Sequence, residues 1–310
     1  MTQQQFLINL QTPDHPVDVI LDTDAYNEID DQFAISYLLG HPEKLRVQAL
    51  CAAPFFNPRS VSPEDGMEKS YREIKKLLEL TGKTSVPVYE GSRHYLTDET
   101  TPVESPAADY MAQKADSYSP EKPLYIVAIG AITNVASAIL KNPRMTENCV
   151  IVWLGGNALQ QPLGASEFNM VQDIAAARVV FGCGAPVVQL PVRGGVDHFA
   201  TSQYELEHWL KGKNALCDYL YESTVQEANS YAAGKPWTRV LWDVTAVAWL
   251  LNDHARFMND RLVPAVIPEY DRRYAVDGAD HRMNYVYAVN RDALYEDLFN
   301  TLAALNGSDA

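Results

Sequence analysis

Four carboxylates, Asp22, Asp24, Asp30 and Asp31, fall within ten residues, directly after the apolar run 17–21 (VDVIL). Such charges repel one another or are driven to higher pKa values. A hard divalent cation relieves both problems: calcium and magnesium take oxygen ligands, and calcium accepts about six to eight, including backbone carbonyls and water. The plainer alternative is an acidic loop in which Asp30 opens a helix, because Asp is favourable in a first helical turn. That alternative explains any one of these residues better than it explains all four. Further along come Asn57, then Ile129 and Gly130 leading to Thr133 and Asn134, and then Gly155, Gly156 and Asn157. Glu167, Phe168 and Asn169 follow, with Asp173 four residues on, and Trp242 and Asp243 precede the apolar stretch 244–251. Singly, each has an ordinary use, Asn as a turn residue and Asp243 as a helix N-cap. Together they place acids and amides at the ends of successive apolar runs.

Those runs are the elements that must position the chemistry. Strands are predicted at 17–21, 46–53, 86–89, 124–129, 150–154, 186–190, 263–267 and 285–289. Helices are predicted at 30–39, 64–80, 134–140, 173–181 and 291–305, and the stretch 201–251 reads as mostly helical, an insertion or cap. Helix 64–80 carries Met67, Tyr71, Ile74, Leu77 and Leu78 at helical spacing. Near-continuous apolar strands alternating with helices predict an α/β fold, a mostly parallel sheet with helices on both faces. In such sheets ligands sit beyond the carboxyl ends of the strands, where the acids and amides fall. No repeat or linker divides the chain, so a single domain over 1–310 is expected.

The 310 residues carry 40 Asp plus Glu against 25 Lys plus Arg, a net charge of −15. That balance argues against a nucleic-acid partner, which needs clustered Lys and Arg. No run approaches the roughly 18 apolar residues of a membrane span. The N-terminal stretch lacks the basic and apolar regions of a signal peptide. Cys51, Cys149, Cys183 and Cys217 are widely spaced and form no zinc motif. A cytoplasmic protein is expected, without membrane or nucleic-acid partners.

The motifs resemble the calcium-dependent nucleoside hydrolases, the inosine–uridine-preferring family. That family opens with a strand running into D-x-D-P-G-x-D-D, matched by the segment from Asp22 to Asp31. The likeness continues through Asn57, AIGAITN (128–134), IVWLGG (151–156), EFNMVQDIAAARVVF (167–181) and Trp242-Asp243. It implies hydrolysis of ribonucleosides to base and ribose with bound Ca2+, and assembly as a homodimer or homotetramer. It implies Asp24, Asp31, Asp243 and the backbone carbonyl of Ile129 as calcium ligands, with Asp24 also the base that activates water. Asp30, Asn57, Glu167 and Asn169 match the residues that hold the ribose hydroxyls. Leu154 falls where the family often has a Met against the sugar. The residue types agree independently, since carboxylates suit an oxocarbenium-like transition state and repel a phosphorylated substrate.

Three departures stand out. Residues 25–29 (AYNEI) replace the family's shorter Pro-Gly-x, so the loop must bulge and bring Asn27 or Glu28 toward the site. Trp242 stands where many members have a His proposed as the acid for the leaving group. Trp cannot protonate a base but can stack on one, as in the purine-preferring branch; equally, it can pack in the core. The family's Asn ahead of Glu167 is replaced in 158–165 (ALQQPLGA), with Gln161 as its nearest substitute. Of seven histidines, His198 alone follows a strand, and a surface role is the better reading for it. Two rival functions stand beside the hydrolase. One is a Mg2+-dependent phosphotransferase with Asp22 as nucleophile, and the other is a nucleoside-binding protein without catalysis.

Overall fold

The structure, a computed structural model, describes residues 1–276 and 281–305. Among the described residues twelve strands follow in order. They are β1 (Val17–Thr23), β2 (Leu45–Ala52), β3 (Val88–Tyr89), β4 (Leu124–Ala128), β5 (Cys149–Leu154), β6 (Val187–Leu190), β7 (Ala200–Ser202), β8 (Thr238–Val240), β9 (Met258–Pro264), β10 (Val266–Pro268), β11 (Tyr274–Val276) and β12 (Arg282–Val289). Eight form one sheet in the order β3-β2-β1-β4-β5-β6-β12-β9, and β7–β8 and β10–β11 are separate pairs. Every pairing in the large sheet is parallel except that of the edge strand β9 with β12. The α/β expectation of a mostly parallel sheet holds.

Alternation along the strands divides the core between the two sheet faces. Val19 and Leu21 of β1 join Val127, Val152 and Val188 on one face, packed against Phe33, Tyr37 and Leu38 of the helix Asp30–Leu39. Ile20 joins Ile126, Ile151 and Val187 on the other, with Met111, Val135 and Phe181 from the helices Pro106–Lys114, Thr133–Lys141 and Ile174–Gly182. Both faces of the central strands are therefore dry, which is why their sequences read as unbroken apolar runs. The stretch 201–251 is largely helical, as expected, with Gln203–Trp209, Ala215–Ala232 and Val244–Trp249. Its last helix is wholly buried and packs on the helix Asp30–Leu39 and on β5. Among the described residues no helix is long and apolar enough to cross a membrane.

The chain runs from β1 outward through β2 to β3, then crosses back to β4 on the other side of β1. The carboxyl ends of β1 and β4 thus flank the topological switch point, where open α/β sheets bind ligands. These ends are held flush: Ile129 N–H donates to the Asp22 carbonyl at 2.9 Å and Ala53 N–H to the Thr23 carbonyl at 2.8 Å. Behind β2, the helix Pro63–Thr81 starts against Phe55, where a Cβ on Gly66 would lie 2.0 Å from the Phe55 carbonyl oxygen. Gly66→Ala should therefore cost about 1–3 kcal/mol of stability despite alanine's better helix propensity. The urea midpoint reads this, and an unchanged or raised midpoint would contradict the close seating.

Candidate active site

At the switch point lies a cavity of about 380 Å³, within the size range of small-ligand sites. Its lining includes Asp24, Asn27, Glu28, Asp30, Asp31, Ile129, Leu154, Asn157, Glu167, Asn169, Arg193, Trp242 and Asp243. Segments far apart in sequence meet here because their strands end along one edge. Asp24 follows β1 directly and Ile129 follows β4. Leu154 ends β5, and Glu167 and Asn169 sit at the start of the helix Phe168–Gln172.

Asp30, Asp31 and Asp243 each offer a carboxylate oxygen, and the three oxygens lie within 4.8 Å of one another, all buried. Asp30 and Asp31 open the helix Asp30–Leu39 and Asp243 precedes the helix Val244–Trp249, yet no side-chain capping bond forms at either helix start. The capping alternative for Asp243 therefore fails, and its carboxylate turns to the other acids. The Thr23 hydroxyl donates to Asp31, and Asp243 N–H donates to Asp30 Oδ2 at 3.4 Å. Arg239 is 8% exposed and reaches Glu28 at 2.7 Å and Asp30 at 3.1 Å. Sequence reading missed Arg239, which stands in no motif and becomes visible only when β8 is folded against this loop. Asp24 lies outside the triad, on the same cavity wall, and its Oδ2 accepts from Asn27 Nδ2 at 3.2 Å. The longer loop does bring Asn27 and Glu28 into the cavity.

The electrostatics follow from this crowding. Burial, then the charges of Asp31, Glu28, Asp30 and Glu167, holds Asp24 well above the usual carboxylate range. Burial and then Asp30 do the same to Asp31 against its Thr23 hydrogen bond, and burial followed by Asp30, Asp31 and Asp24 does so to Asp243. Burial pushes Glu167 up to about 7, against backbone N–H groups of Asn169, Gly156 and Met170. The donor set is wholly hard oxygen, dense and short of positive charge. It fits a divalent cation of the calcium or magnesium kind.

Several candidates take different places. Asn57 does not line the cavity; its Nδ2 donates to Asn27 Oδ1 at 2.5 Å, so it stands one residue behind the wall. Gln161 does not substitute for the family's asparagine. Its Nε2 turns to the Arg193 carbonyl at 3.4 Å, and the amide that lines the cavity from the chain just after β5 is Asn157. Asp173 caps the helix Ile174–Gly182 and binds Leu96 N–H and the Thr133 hydroxyl, a structural role. His198 is exposed on a loop, as expected. Asp22 is completely buried, bonded to Asn134 Nδ2 at 2.8 Å and absent from the cavity lining, which removes it as a phosphotransferase nucleophile.

An open parallel sheet with buried acids at its switch point defines an α/β enzyme with a cation-ready site. The chain matches the family described as inosine-uridine preferring nucleoside hydrolase over residues 19–296. It belongs to that family, and its activity is the hydrolysis of an N-glycosidic bond. Among curated relatives it is 28% identical to the probable uridine nucleosidase 2 of Arabidopsis thaliana over 231 residues, 65% of this chain and 67% of that one. The fold is shared with a plant nucleoside hydrolase, PpNRh1, at TM-score 0.73 and 23% identity over 93% of this chain and 99% of that chain. It is shared equally with a purine-preferring ribonucleoside hydrolase from Gardnerella vaginalis, TM-score 0.73 and 22% identity over 93% and 98%.

The buried acids set a pH dependence. Burial raises Asp22 from 3.8 to about 7. The folded chain therefore holds a proton that the unfolded chain has released, and stability falls as pH rises between those values. In EDTA, wild-type stability relative to Asp22→Asn should decline from about pH 4 to about pH 7 and level off above. Thermal melts of the two proteins check this; a difference that is flat or grows with pH would refute it.

Proposed function

We propose that the protein hydrolyses ribonucleosides to free base and ribose, with Ca2+ held by Asp24, Asp31, Asp243 and the Ile129 carbonyl. The observation that carries this reading is the set of carboxylates from three separate chain segments lining one nucleoside-sized cavity. Calcium, when bound, gathers these carboxylates and supplies the positive charge that makes a neighbouring water easier to deprotonate. Asp24 is the general base. Its carboxylate takes a proton from water as the water oxygen attacks C1′.

Asp30, Glu167 and Asn169 hold the ribose. Glu167 is fixed through three backbone N–H groups, at 2.8 Å from Gly156, 2.8 Å from Asn169 and 3.1 Å from Met170. Asn169 Nδ2 is committed to the carbonyls of Ile129 and Leu154, which leaves its Oδ1 as an acceptor for a sugar hydroxyl. Fixed acceptors of this kind orient the sugar before reaction and stabilise positive charge growing on it. Leu154 gives the sugar an apolar wall, and Asn57 acts one step back by holding Asn27. The same acids disfavour nucleotides, since a 5′-phosphate would meet like charge.

Trp242 lines the cavity, half-buried, with the Arg239 guanidinium 5.4 Å from its ring centre. An aromatic side chain in the lining of a nucleoside-sized space supports stacking on the base and a preference for purines. The relatives' names divide on this point, one uridine and one purine, so the preference rests on Trp242 alone.

Ribose release from a nucleoside panel, with and without EDTA, tests the reading. Activity should vanish in EDTA and return with added calcium; no release from any nucleoside in calcium would overturn the proposal. Asp24→Ala should lower kcat on the order of 10²–10⁴-fold, and near-normal turnover would remove Asp24 as the base. Trp242→Ala should impair purine nucleosides more than pyrimidine ones, and equal losses would count against stacking.

A further inference from the structure

The carboxylates of the cavity are not held alike. Glu167 is fixed by backbone N–H groups of Gly156, Asn169 and Met170, and Asp31 by the Thr23 hydroxyl. Asp30 opens its helix where no side-chain capping bond forms, so no neighbour in sequence orients its carboxylate. Among the described residues its oxygens are met from elsewhere in the chain. Asp243 N–H reaches Oδ2 at a long 3.4 Å, and Arg239 Nη2 reaches Oδ1 at 3.1 Å. Arg239 is buried and stands outside the cavity lining. Its backbone is set by the pairing of β8 with β7, Arg239 opposite Thr201. Its guanidinium is held from two further sides. Nη2 also donates to Glu28 at 2.7 Å, and Nη1 lies 3.8 Å from Glu227 on the helix Ala215–Ala232. Glu227 is itself paired with Arg59 at 3.1 Å. A guanidinium gripped by separate segments thus reaches the ribose-holding acid that lacks a rigid support of its own.

We propose that Arg239, braced by Glu227, is a positioning residue for the reaction. It aims the Asp30 carboxylate at a ribose hydroxyl, so recognition of that hydroxyl depends on a side chain outside the cavity. This inference rests on the hydrolase reading above and concerns the same site. A carboxylate free to turn gives up rotamer freedom when it grips a hydroxyl, and one already fixed does not. An ionised carboxylate has about four lone-pair sites, so the bonds from Arg239 and Asp243 leave acceptor capacity for the sugar. The crowded acids make the support necessary. The charge of Asp30 acts on Asp24, Asp31 and Asp243, and the same repulsion acts back on Asp30. Without the guanidinium it would swing Asp30 away from its neighbours. Charge alone does not suffice. Nη2 is shared by Asp30 and Glu28 while Nη1 faces Glu227, a division that the single nitrogen of lysine does not reproduce.

The test measures kcat and KM, in calcium, for inosine, adenosine, uridine or cytidine, whichever turns over fastest, and for its 2′-, 3′- and 5′-deoxy analogues. The hydroxyl whose removal slows wild type but not Asp30→Asn is the partner of Asp30. Arg239→Gln should lose discrimination for that same hydroxyl by about tenfold in kcat/KM and keep discrimination for the others. Arg239→Lys, which keeps the charge, should lose nearly as much. The double variant Arg239→Gln with Asp30→Asn should be no slower than Asp30→Asn alone, because Arg239 acts through Asp30. Glu227→Gln should give the same pattern at smaller size, and it carries the test if the Arg239 variants do not fold. Calcium should still raise the melting temperature of each variant. Several outcomes overturn this inference and leave the hydrolase reading standing. They are additive losses in the double variant, equal losses against every hydroxyl, full rescue by lysine, and a wild-type profile in Arg239→Gln or Glu227→Gln. No hydroxyl that separates wild type from Asp30→Asn overturns it as well. A wild type that releases ribose from no nucleoside overturns the hydrolase reading with it.

Discussion

Carboxylates buried together repel one another, and each also loses the hydration that would stabilise its charge. At the ends of β1 and β4 this molecule gathers Asp24, Asp30, Asp31 and Asp243, each nearly inaccessible to water. Crowding of that kind is tolerated only where the surroundings are stiff enough to prevent the acids from moving apart. The parallel sheet supplies the stiffness. Its central strands are dry on both faces, and Trp153, fully buried in β5, donates its ring N–H to the Gly130 carbonyl at 3.1 Å. Asn134 adds a second tie, bonded to Asp22 and to the Ala52 carbonyl, and so joins the ends of β1 and β2 to the helix after β4.

The same constraint explains why local rules fail where they do. Asp at a helix start ordinarily caps it, as Asp173 does for the next helix along, accepting from Ala176 N–H at 2.9 Å. Asp243 occupies the corresponding place and leaves its helix uncapped. That helix is completely buried and packs on both sheet and helix, so its tertiary contacts stabilise it without the cap. Residues whose local preference is overridden are the ones expected to carry function, and here they are the triad. Glu167 combines both uses, capping the helix Phe168–Gln172 while lining the cavity.

The frame and the floor of the site were legible in sequence for related reasons. Strands buried on both faces leave unbroken apolar runs, and an acid placed just after such a run has few structural uses. The helix Asp30–Leu39 and the strands β5 and β12 fall where the apolar pattern puts them, within a residue or three at their ends. Contributions made across the fold were not legible. Arg239 sits in a three-residue strand with no motif, and its meaning depends on the approach of Glu28, more than 200 residues earlier. Arg193 and Asn157 come from two separate loops that meet only because β5 and β6 are neighbours. Asn57 failed in the opposite sense. Its position after β2 matched a ligand-binding place, but the longer loop inserts Asn27 between it and the cavity.

That loop shows how a changed sequence can preserve a site. The family's short turn uses Pro-Gly; here Tyr26 takes the glycine's place and still adopts φ 90°, a conformation that costs a residue with a Cβ on the order of 1–3 kcal/mol. Attractive contacts offset part of it. Asn27 N–H closes onto the Asp24 carbonyl at 2.9 Å, Lys69 sits 5.9 Å from the Tyr26 ring centre, and Arg239 holds Glu28. Arg239 also grips Asp30 and lies against Trp242, so one buried cation fastens the bulged loop, a triad carboxylate and the aromatic wall together. Lysine would not replace it, because three separate partners require the planar fork of a guanidinium. The two extra residues are therefore compatible with an intact acidic floor because Arg239 locks the bulge to that floor.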